Sequence, residues 1–553
     1  MRFAAMFVLT LAFLVLPTVV AAQNPDEANQ TPEQQKVDGV FAGYDKPDSP
    51  GCAVGVIRNG FFTYRHGYGM ASLELQAPLS SASVFYMGSV SKQFTAASLV
   101  LAAEQGLLSL DDDVHKYMPE LPDYGNPITL REMLHHTSGL RDFLGLLELS
   151  GRHGEDIHSK AEMLDLIVRQ KGLNNKPGDE YIYSNTNYFL LGLVVERVSK
   201  KPLSAFAEEN IFKPLGMEWT RFFDDRSVVV PGRVAAYSAA SGGKFEVDWS
   251  TNYDTVGAGG LMSSVNDLLA WDRNFYQNKL GKGTLIKEMQ TRGVLNNGKP
   301  IDYTLGLEIS TYRGLPTVEH AGGLFGYSTE ILRFPDQKFT VVCLCNLASA
   351  GPTGLATKVA DIYLAKDLKP EAAQDGNGSS NEKFPDPGSF AGKYEDPRSH
   401  WVFAFTASDG NLHGWGQALR RTGVNRFKDL SGHDMTFTEA NGTMKVVLDM
   451  DGTPLFEGYK VKEQKVSESE LVAFGGTYRS EELDAVYKLS AEKDGLVLRI
   501  GWNPPVTFTA ISKDEFENDG FGVLVFRKSA SGGVSGFGLY ADRDRNIGFE
   551  KVK

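Results

Sequence analysis

The 553-residue chain has only three cysteines, few positive charges relative to negative ones and, beyond its first residues, no apolar run long enough to cross a bilayer. Its formal net charge is −13 at pH 7, whereas nucleic acids and anionic membranes bind basic surfaces. We therefore expect no nucleic-acid partner. Apart from its N-terminal segment, the chain should also show no stable membrane insertion.

Residues 1–22 have the pattern of a signal peptide. A basic start at Met1-Arg2 is followed by an apolar run from Phe3 to Val20 and by small residues suited to cleavage at Ala21-Ala22. An uncleaved membrane anchor is the alternative, but the run is near the lower length limit for a span. We expect cleavage of this segment and a periplasmic or secreted protein.

The few candidate metal ligands do not form a recognisable site. Cys52, Cys343 and Cys345 lie in apolar, strand-like runs, and a disulfide from Cys52 to one of the others is open in an oxidising compartment. Their setting favours small buried hydrophobic side chains instead. The pair His135-His136 has no third ligand at a suitable spacing. No metal and no cofactor is therefore predicted.

Composition divides the chain into a large domain, a linker and two small domains. Residues 23–367 begin with strand patterns, continue as helices and end in strands, which predicts one antiparallel sheet covered by helices. Residues 368–387 are rich in Pro, Gly, Asn and Ser, as linkers are. In 388–465 and 466–553 short alternating strands are separated by turns, which predicts two small antiparallel β-barrels.

The two barrel segments share a repeated motif. Phe390-Ala391-Gly392-Lys393-Tyr394 recurs as Phe474-Gly475-Gly476-Thr477-Tyr478. Near the C-terminus, Asp542-Arg543-Asp544 imitates the start of a calcium loop, but Ile547 stands where that loop needs glycine. We interpret the segment as a hairpin turn.

The chemistry of the chain is predicted to start at Ser89 and Lys92. These residues open an apolar helix and, being three apart, share one of its faces. A neutral amine can take the proton of a neighbouring hydroxyl, and both desolvation and a helix N-terminus favour the neutral amine. Ser89 would then be a nucleophile with Lys92 as its base. Other Ser-x-x-Lys copies in the chain do not open an apolar helix, as at Ser241/Lys244, Ser380/Lys383 and Ser490/Lys493.

Two further motifs follow at long spacing. Tyr183 and Asn185 lie on a loop that leads into an apolar helix at 189–198; two apart in an extended segment, they would point into one cleft. His320-Ala321-Gly322-Gly323 precedes strands predicted at 328–334 and 339–344.

In this order and context, the three motifs resemble those of the penicillin-recognising serine hydrolases. That family includes class C β-lactamases, D,D-peptidases, D-aminopeptidases and related esterases. The resemblance covers about residues 45–365. It implies an α/β (α+β) serine β-lactamase-like domain, in which a helical subdomain and a sheet enclose the site, and acylation of Ser89. A catalytic domain followed by two barrels is most similar to the D-aminopeptidase layout, in which a barrel loop can reach the cleft.

The resemblance also implies a role for each residue. Tyr183 would carry the proton to the leaving group, and Asn185 would hold the amide of the substrate. The backbone N–H groups of Ser89 and Gly323 would form the oxyanion hole, if Gly323 begins the edge strand. His320 and Gly322 would contact the substrate.

One departure from the family pattern bears on the substrate. His320-Ala321-Gly322 replaces the Lys-Thr-Gly of many β-lactamases, and an imidazole with a methyl group grips a carboxylate less well. This difference favours a peptidase or esterase over a β-lactamase.

We therefore expect an exported serine hydrolase that acts on peptides or amides containing D-amino acids. An esterase or weak β-lactamase of the same family is one alternative, and a non-catalytic ligand-binding or sensor protein with this fold is another. The expected partner is a small-molecule or peptide substrate, and self-association as a homo-oligomer is left open.

Overall fold

A computed structural model describes residues 30–153, 156–248, 254–370, 385–429, 433–450, 453–462, 464, 466–493 and 495–552. The predicted signal peptide and most of the predicted linker lie outside the described residues. Within the described ranges, no helix is both long and apolar enough to cross a membrane.

The N-terminal domain contains helices and strands in the following chain order. Its strands are β1 (Cys52–Arg58), β2 (Phe61–Tyr68), β3 (Met70–Ser72), β4 (Ala77–Pro78), β5 (Phe85–Tyr86), β6 (Arg221–Phe222), β7 (Tyr237–Ala239), β8 (Phe245–Val247), β9 (Leu261–Ser263), β10 (Glu308–Tyr312), β11 (Leu315–Leu324), β12 (Tyr327–Phe334) and β13 (Phe339–Cys345). Its helices are α1 (Pro32–Phe41), α2 (Ser91–Glu104), α3 (Leu130–Leu134), α4 (Phe143–Leu149), α5 (Lys160–Val168), α6 (Asn185–Ser199), α7 (Leu203–Ala207), α8 (Lys213–Leu215), α9 (Val265–Gln277), α10 (Leu285–Met289) and α11 (Pro352–Tyr363).

The main sheet of this domain joins strands from both of its ends. Its order is β10-β11-β12-β13-β1-β2, and all neighbours are antiparallel. Asn59 and Gly60 connect β1 to β2 with φ values of 53° and 77°, as a type I′ turn requires. Helices α1 and α11 cover one face of the sheet, and α9 packs on the other. The predicted antiparallel sheet covered by helices is confirmed.

Two of the three cysteines form a disulfide, so the interpretation of all three as small hydrophobic side chains is wrong. Cys52 on β1 lies directly opposite Cys345 on β13, and the two are bonded. Cys343 is a buried free thiol. The sequence pattern assigned all three to strands, but pairing depends on which strands become neighbours.

Helix α2 forms the centre of the helical subdomain. Most of its residues, from Ser91 to Ala102, are buried, because the helix is apolar on every side. It packs against α6, which begins at Asn185, four residues before the predicted start at Phe189. The positions of Lys92 and Asn185 on these two packed helices bring their side chains together.

Two β-barrel domains follow. Barrel 1 (392–460) consists of β14 (Gly392–Glu395), β15 (Val402–Ser408), β16 (Asn411–Gly414), β17 (Gln417–Ala418), β18 (Arg420–Gly423), β19 (Arg426–Lys428), β20 (Asp434–Ala440), β21 (Thr443–Met450) and β22 (Thr453–Lys460). Barrel 2 (476–551), preceded by α12 (Glu468–Leu471), consists of β23 (Gly476–Ser480), β24 (Ala485–Glu492), β25 (Gly495–Ile500), β26 (Val506–Ala510), β27 (Glu515–Asn518), β28 (Gly522–Lys528), β29 (Val534–Ala541) and β30 (Asp544–Lys551). Barrel 2 is closed, whereas barrel 1 is a near-closed sheet in the order β17-β16-β15-β14-β22-β21-β20-β19-β18. The predicted pair of antiparallel barrels is confirmed.

The repeated sequence motif builds the same corner in both barrels. The Tyr394 hydroxyl donates to the Phe390 carbonyl at 2.8 Å, and the Tyr478 hydroxyl donates to the Phe474 carbonyl at 2.6 Å. In each barrel the first strand pairs with the last through this tyrosine. The exact domain boundaries remain predictions.

Candidate active site

A cleft of about 760 Å³ lies between α2, α6, the edge of the main sheet and loops of both barrels. Its walls include the side chains or backbone of these predicted site residues: Ser89, Tyr183, Asn185, His320 and Gly323. Lys92 lies behind Ser89, fully buried. Motifs far apart in the chain therefore meet at one surface.

Lys92 is held at Ser89 by three hydrogen bonds. Its Nζ lies 3.0 Å from Ser89 Oγ and donates to Asn185 Oδ1 at 2.9 Å and to the Ala258 carbonyl at 2.8 Å. Ala258 belongs to the glycine-rich segment 257–260, which approaches the helices closely: a Cβ at Gly257 would lie 2.4 Å from the Tyr188 carbonyl oxygen. The segment is thus a packed turn that contributes an acceptor to the site.

The surroundings of Lys92 favour a neutral amine. Burial lowers its pKa to about 7; Arg543 adds to this effect, whereas Asp142 opposes it. Around neutral pH the amine is therefore unprotonated in a large fraction of molecules. An unprotonated amine 3.0 Å from a hydroxyl can accept its proton.

Glycine is required on both sides of the nucleophile. Ser89 lies in a 3₁₀ turn, Gly88–Val90, and Gly88 has a φ of 52°. A Cβ at Gly88 would lie 2.7 Å from the Gly323 nitrogen, and a Cβ at Gly322 would lie 2.2 Å from the Met87 carbonyl oxygen. The backbones of the Ser89 turn and of β11 are therefore in direct contact. Gly322 serves this packing, and the Ser89 and Gly323 nitrogens lie on adjoining segments, as an oxyanion hole needs.

Gly323 does not begin a strand, contrary to the expectation. It is near the C-terminal end of β11, and His320-Ala321-Gly322 is itself part of that strand. The pairing of β10 with β11 ends at Glu308 opposite Glu319, so in the described chain His320–Leu324 continue beyond β10. These residues form a sheet edge beside Ser89 because β10 ends before it reaches them, and not because a strand begins at Gly323.

Tyr183 is a neutral phenol held against the nucleophile. It hydrogen-bonds Ser89, and burial raises the pKa of its hydroxyl. Lys92 Nζ lies 4.8 Å from the centre of the Tyr183 ring. The centre of the buried His136 ring lies 4.2 Å from the centre of the Tyr183 ring, and the two ring planes are tilted by 33°. A neutral phenol beside Ser89 and Lys92 can relay a proton.

In the histidine pair, His136 packs its ring against Tyr183, Tyr188 and Tyr303. His136 Nδ1 accepts from the Ser184 backbone N–H at 3.1 Å, and burial keeps the pKa of His136 well below its usual value. His135 Nδ1 lies 3.2 Å from the Tyr303 carbonyl oxygen. The two side chains have different partners and do not converge on one point.

Asn185 differs from its predicted conformation. It is the first residue of α6 rather than part of an extended segment. Its Oδ1 accepts from Lys92, while its Nδ2 and backbone N–H both donate to Asp142 Oδ2, at 2.8 Å and 2.9 Å. Both ends of the amide are therefore bound by protein groups. Asn185 positions Lys92 and also lines the cleft. Its NH2 group has two hydrogens, of which Asp142 takes one, so the predicted contact with the substrate amide stays a prediction.

His320 is also bound on both sides. The Tyr303 hydroxyl lies 3.0 Å from Nε2, and Nδ1 lies 2.6 Å from the Ala321 carbonyl oxygen. Since a carbonyl only accepts, Nδ1 carries the proton and Nε2 accepts from the phenol. Burial lowers the pKa of His320 to about 3, with a further contribution from Lys92. The imidazole is neutral and offers no cation to a substrate.

Sequence reasoning missed two charged residues at this site. Asp142, which begins α4 and is buried, holds Asn185, and its Oδ2 lies 3.5 Å from Nη1 of Arg543. Arg543 lies on the predicted hairpin turn between β29 and β30 of barrel 2, and it lines the cleft. The hairpin was visible in the sequence, but its contact with the cleft depends on how barrel 2 docks.

One cluster of metal-type ligands lies away from the cleft, where the two barrels meet. His400 Nδ1 is 2.6 Å from Glu395 Oε1 and 3.7 Å from Glu515 Oε1. These distances suit ion pairs between a histidine and two carboxylates.

Comparison with known proteins places this geometry in a family. The family model Beta-lactamase matches residues 37–364, more than half of the chain, and the chain belongs to this family. It is a serine hydrolase, as the resemblance implied.

Three relatives show how far the similarity extends. Penicillin-binding protein 4* of Bacillus subtilis (strain 168) is 33% identical over 310 residues, which are 52% of this chain and 66% of that protein. A D-aminopeptidase of Gluconobacter oxydans (strain 621H) is 29% identical, over 56% of this chain and 58% of that protein. A D-aminopeptidase of Brucella melitensis biotype 2 is 25% identical over 531 residues, which are 91% of this chain and 96% of that protein. At 91% of this chain, the alignment with the Brucella protein extends beyond the N-terminal domain.

Solved structures agree on the fold. The octameric penicillin-binding protein homologue from Pyrococcus abyssi has a TM-score of 0.55 at 22% identity and covers 77% of this chain and 99% of its own. The D-amino acid amidase from Ochrobactrum anthropi SV3, complexed with L-phenylalanine amide, has a TM-score of 0.52 at 20% identity, over 61% of this chain and all of its own.

Proposed function

We propose that this protein hydrolyses amide bonds next to D-amino acid residues, through an acyl-enzyme at Ser89. The observation that carries the proposal is the Lys92 amine, buried and with a pKa near 7, at 3.0 Å from Ser89 Oγ. The near full-length alignment with a D-aminopeptidase supports the D-amino acid part. The neutral His320 supports a substrate other than a β-lactam, since it offers no cation to the β-lactam carboxylate.

In the first half of the proposed reaction, Lys92 accepts the Ser89 proton as Oγ attacks the scissile carbonyl. The Ser89 and Gly323 N–H groups stabilise the oxyanion, and each such donor typically lowers the barrier by about 3–4 kcal/mol. The proton then passes through Tyr183 to the leaving nitrogen as the C–N bond breaks. An ester of Ser89 remains.

In the second half, water attacks this ester and gives its proton to the Lys92 and Tyr183 pair. The C–Oγ bond breaks, Ser89 Oγ regains a proton, and the carboxylic acid product leaves. Asn185 and Asp142 hold Lys92 in place throughout.

Export to the periplasm or the medium is part of the proposal. The signal-like residues 1–22 support it, as does the Cys52–Cys345 disulfide, because disulfides persist in oxidising compartments. Self-association is also proposed, with the octameric Pyrococcus homologue as its support.

A substrate panel tests the proposal. D-alanine p-nitroanilide and its L-enantiomer, a D-Ala-D-Ala peptide, a short acyl ester and a chromogenic cephalosporin are compared on wild type, Ser89→Ala and the control Ser98→Ala. Ser98 lies on the same helix, and its hydroxyl donates to the Phe94 carbonyl. We expect the D-anilide to be cleaved faster than the L-anilide, and only Ser89→Ala to abolish the reaction. Preference for the L-anilide would refute the stereochemical part, and ester cleavage alone would support the esterase.

A further inference from the structure

Arg543 brings a cation from barrel 2 to the wall of the cleft. Its Cζ lies 4.9 Å from the centre of the Tyr183 ring, on which Lys92 Nζ also packs, and the same phenol hydrogen-bonds Ser89. The side chain keeps 40% of its surface accessible. A substrate whose carbonyl meets Ser89 therefore passes close to this guanidinium.

The hairpin that carries Arg543 is fixed to the N-terminal domain. Asn174 binds it on both sides of the tip: Nδ2 donates to the Arg543 carbonyl at 2.6 Å, and Oδ1 accepts from the Arg545 N–H at 2.8 Å. Asp544 Oδ1 accepts from the Asp142 backbone N–H at 2.8 Å. A Cβ at Gly145 would lie 2.1 Å from Asp544 Oδ2, so α4 has a glycine where the carboxylate docks. Arg543 is thus positioned before any ligand arrives.

The Arg543 guanidinium has N–H donors available for a ligand. Its ion-pair contacts are long, at 3.5 Å from Nη1 to Asp142 Oδ2 and 3.4 Å from Nε to Asp542 Oδ2. A guanidinium has five N–H donors in a planar fork that matches a carboxylate. Asp142 cannot swing toward a ligand, since its oxygens also accept from Leu144 and Asn185.

The other basic groups at the cleft, Lys92, His320 and His433, are already bound to protein partners. Lys92 Nζ has three hydrogen-bond partners in the protein, and His320 has both nitrogens bound. His433 of barrel 1 lies 2.6 Å from Asp429, its ion-pair partner. Glu308, at the start of β10, is an acidic residue that lines the cleft and is accessible from it. Partial desolvation in the cleft raises the pKa of its carboxyl.

We propose that Arg543 is a specificity-determining residue that binds a carboxylate of the substrate and makes the enzyme select anionic amides over neutral and cationic ones. The sheet position that grips carboxylates in many β-lactamases is here a neutral histidine, and barrel 2 supplies a cation to the cleft wall. The inference rests on the proposed Ser89 hydrolase and narrows its substrate class. It predicts an acidic D-amino acid residue, or a D-residue with a free C-terminal carboxylate, near the scissile bond.

Boronic acids test the inference independently of any substrate, because they bind reversibly to the nucleophilic serine. Phenylboronic acid, 3-carboxyphenylboronic acid and 3-(aminomethyl)phenylboronic acid present a neutral, an anionic and a cationic group on one scaffold. Their inhibition constants are measured by competition with fluorophosphonate labelling of the full chain. The variants are Arg543→Gln, Arg543→Lys, Arg543→Glu and the control Arg499→Gln, an exposed arginine of barrel 2 paired with Glu492.

We expect the wild type to bind the carboxylate probe at least about tenfold more tightly than the neutral one, as one charge-assisted pair allows. Arg543→Gln should abolish this difference, Arg543→Lys should retain part of it, and Arg543→Glu should favour the aminomethyl probe. Arg499→Gln should behave as wild type. Equal affinities in the wild type, or a carboxylate preference that survives Arg543→Gln, would overturn the inference.

Substrates then distinguish the two sources of the carboxylate. D-aspartic and D-glutamic acid anilides carry it on the acyl side, and D-Ala-D-Ala carries it on the leaving group. D-alanine anilide, which has the same α-amino group and no carboxylate, is the reference. Arg543→Gln should raise KM for one of the two carboxylate-bearing classes about tenfold or more, with little change for the reference. Failure to cleave any D-amide would refute the proposed function while the boronate result still decides the role of Arg543.

Discussion

Barrels 1 and 2 are built from the same motif, yet they stand in different relations to the cleft. The hydrophobic core of barrel 2 is continuous with that of the helical subdomain, whereas barrel 1 has a core of its own. Barrel 2 places Arg543 on the cleft wall, and barrel 1 places His433 there. Both barrels therefore contribute to the cleft wall, but barrel 2 also shares a hydrophobic core with the helical subdomain.

The difference lies in the contacts that fix each barrel. Arg141 of the N-terminal domain pairs with Glu482 of barrel 2 at 2.6 Å, and the two side chains are only 3% and 6% exposed. Tyr487 also donates to the Leu149 carbonyl of α4 at 2.6 Å. Barrel 1 pairs with barrel 2 through Lys393 and Glu517, which are more accessible. A buried polar contact fixes an orientation, whereas an accessible pair contributes less.

The largest expected effect comes from breaking the buried pair. Arg141→Met leaves the Glu482 carboxylate buried without its partner, which should cost about 3–5 kcal/mol of unfolding free energy. Lys393→Met, the matched change at the barrel 1 contact, should cost about 1 kcal/mol or less. Urea unfolding measures both. Equal losses would show that the two barrels are attached alike.

The next effect comes from the space that α4 leaves for Asp544. Gly145→Ala introduces a Cβ 2.1 Å from Asp544 Oδ2 and should cost about 1–3 kcal/mol, although alanine is the better helix former. Gly354→Ala in α11 is the control, since nothing lies within 4 Å of its added Cβ. That variant should gain up to about 1 kcal/mol. Thermal unfolding measures the change in stability of both variants. Stabilisation by Gly145→Ala would argue against docking of the hairpin on α4.

The repeated corner should respond equally in the two barrels. Tyr394→Phe and Tyr478→Phe each remove one hydroxyl-to-carbonyl hydrogen bond and should each cost about 1 kcal/mol. Urea unfolding measures both losses. A large loss in one barrel alone would mean that the corner is not equivalent.

The smallest effect concerns the proton on Lys92. Because Arg543 lowers the pKa of Lys92, Arg543→Gln should raise it and move the rise of kcat/KM to higher pH by a fraction of a unit. The rise itself should be centred near pH 7, since the base acts when unprotonated. Lys445→Gln removes a cation from barrel 1, where Lys445 pairs with Glu457, and should leave the profile in place. A shift in both variants would point to overall charge instead.

Local spacing was enough to predict the parts of the site that depend on one segment. The spacing of Ser89 and Lys92 predicted that their side chains meet, and Lys92 Nζ lies 3.0 Å from Ser89 Oγ. The repeated tyrosine corner was likewise visible because each copy is a short motif.

The remaining features depend on contacts between distant segments. The orientation of the Asn185 amide depends on Lys92 and on Asp142, which precedes α4. The Cys52–Cys345 bond requires β1 and β13 to be neighbours. Arg543 reaches the cleft because a closed barrel docks on α4, and no periodicity of the chain contains that information.

The most direct test of the central claim is the pH dependence of fluorophosphonate labelling, with the labelled residue mapped by peptide mass spectrometry. We predict a single label on Ser89, a labelling rate that rises with a midpoint near pH 7, and strongly slowed labelling in Lys92→Met. A label on another residue, or an unchanged rate in Lys92→Met, would contradict the account.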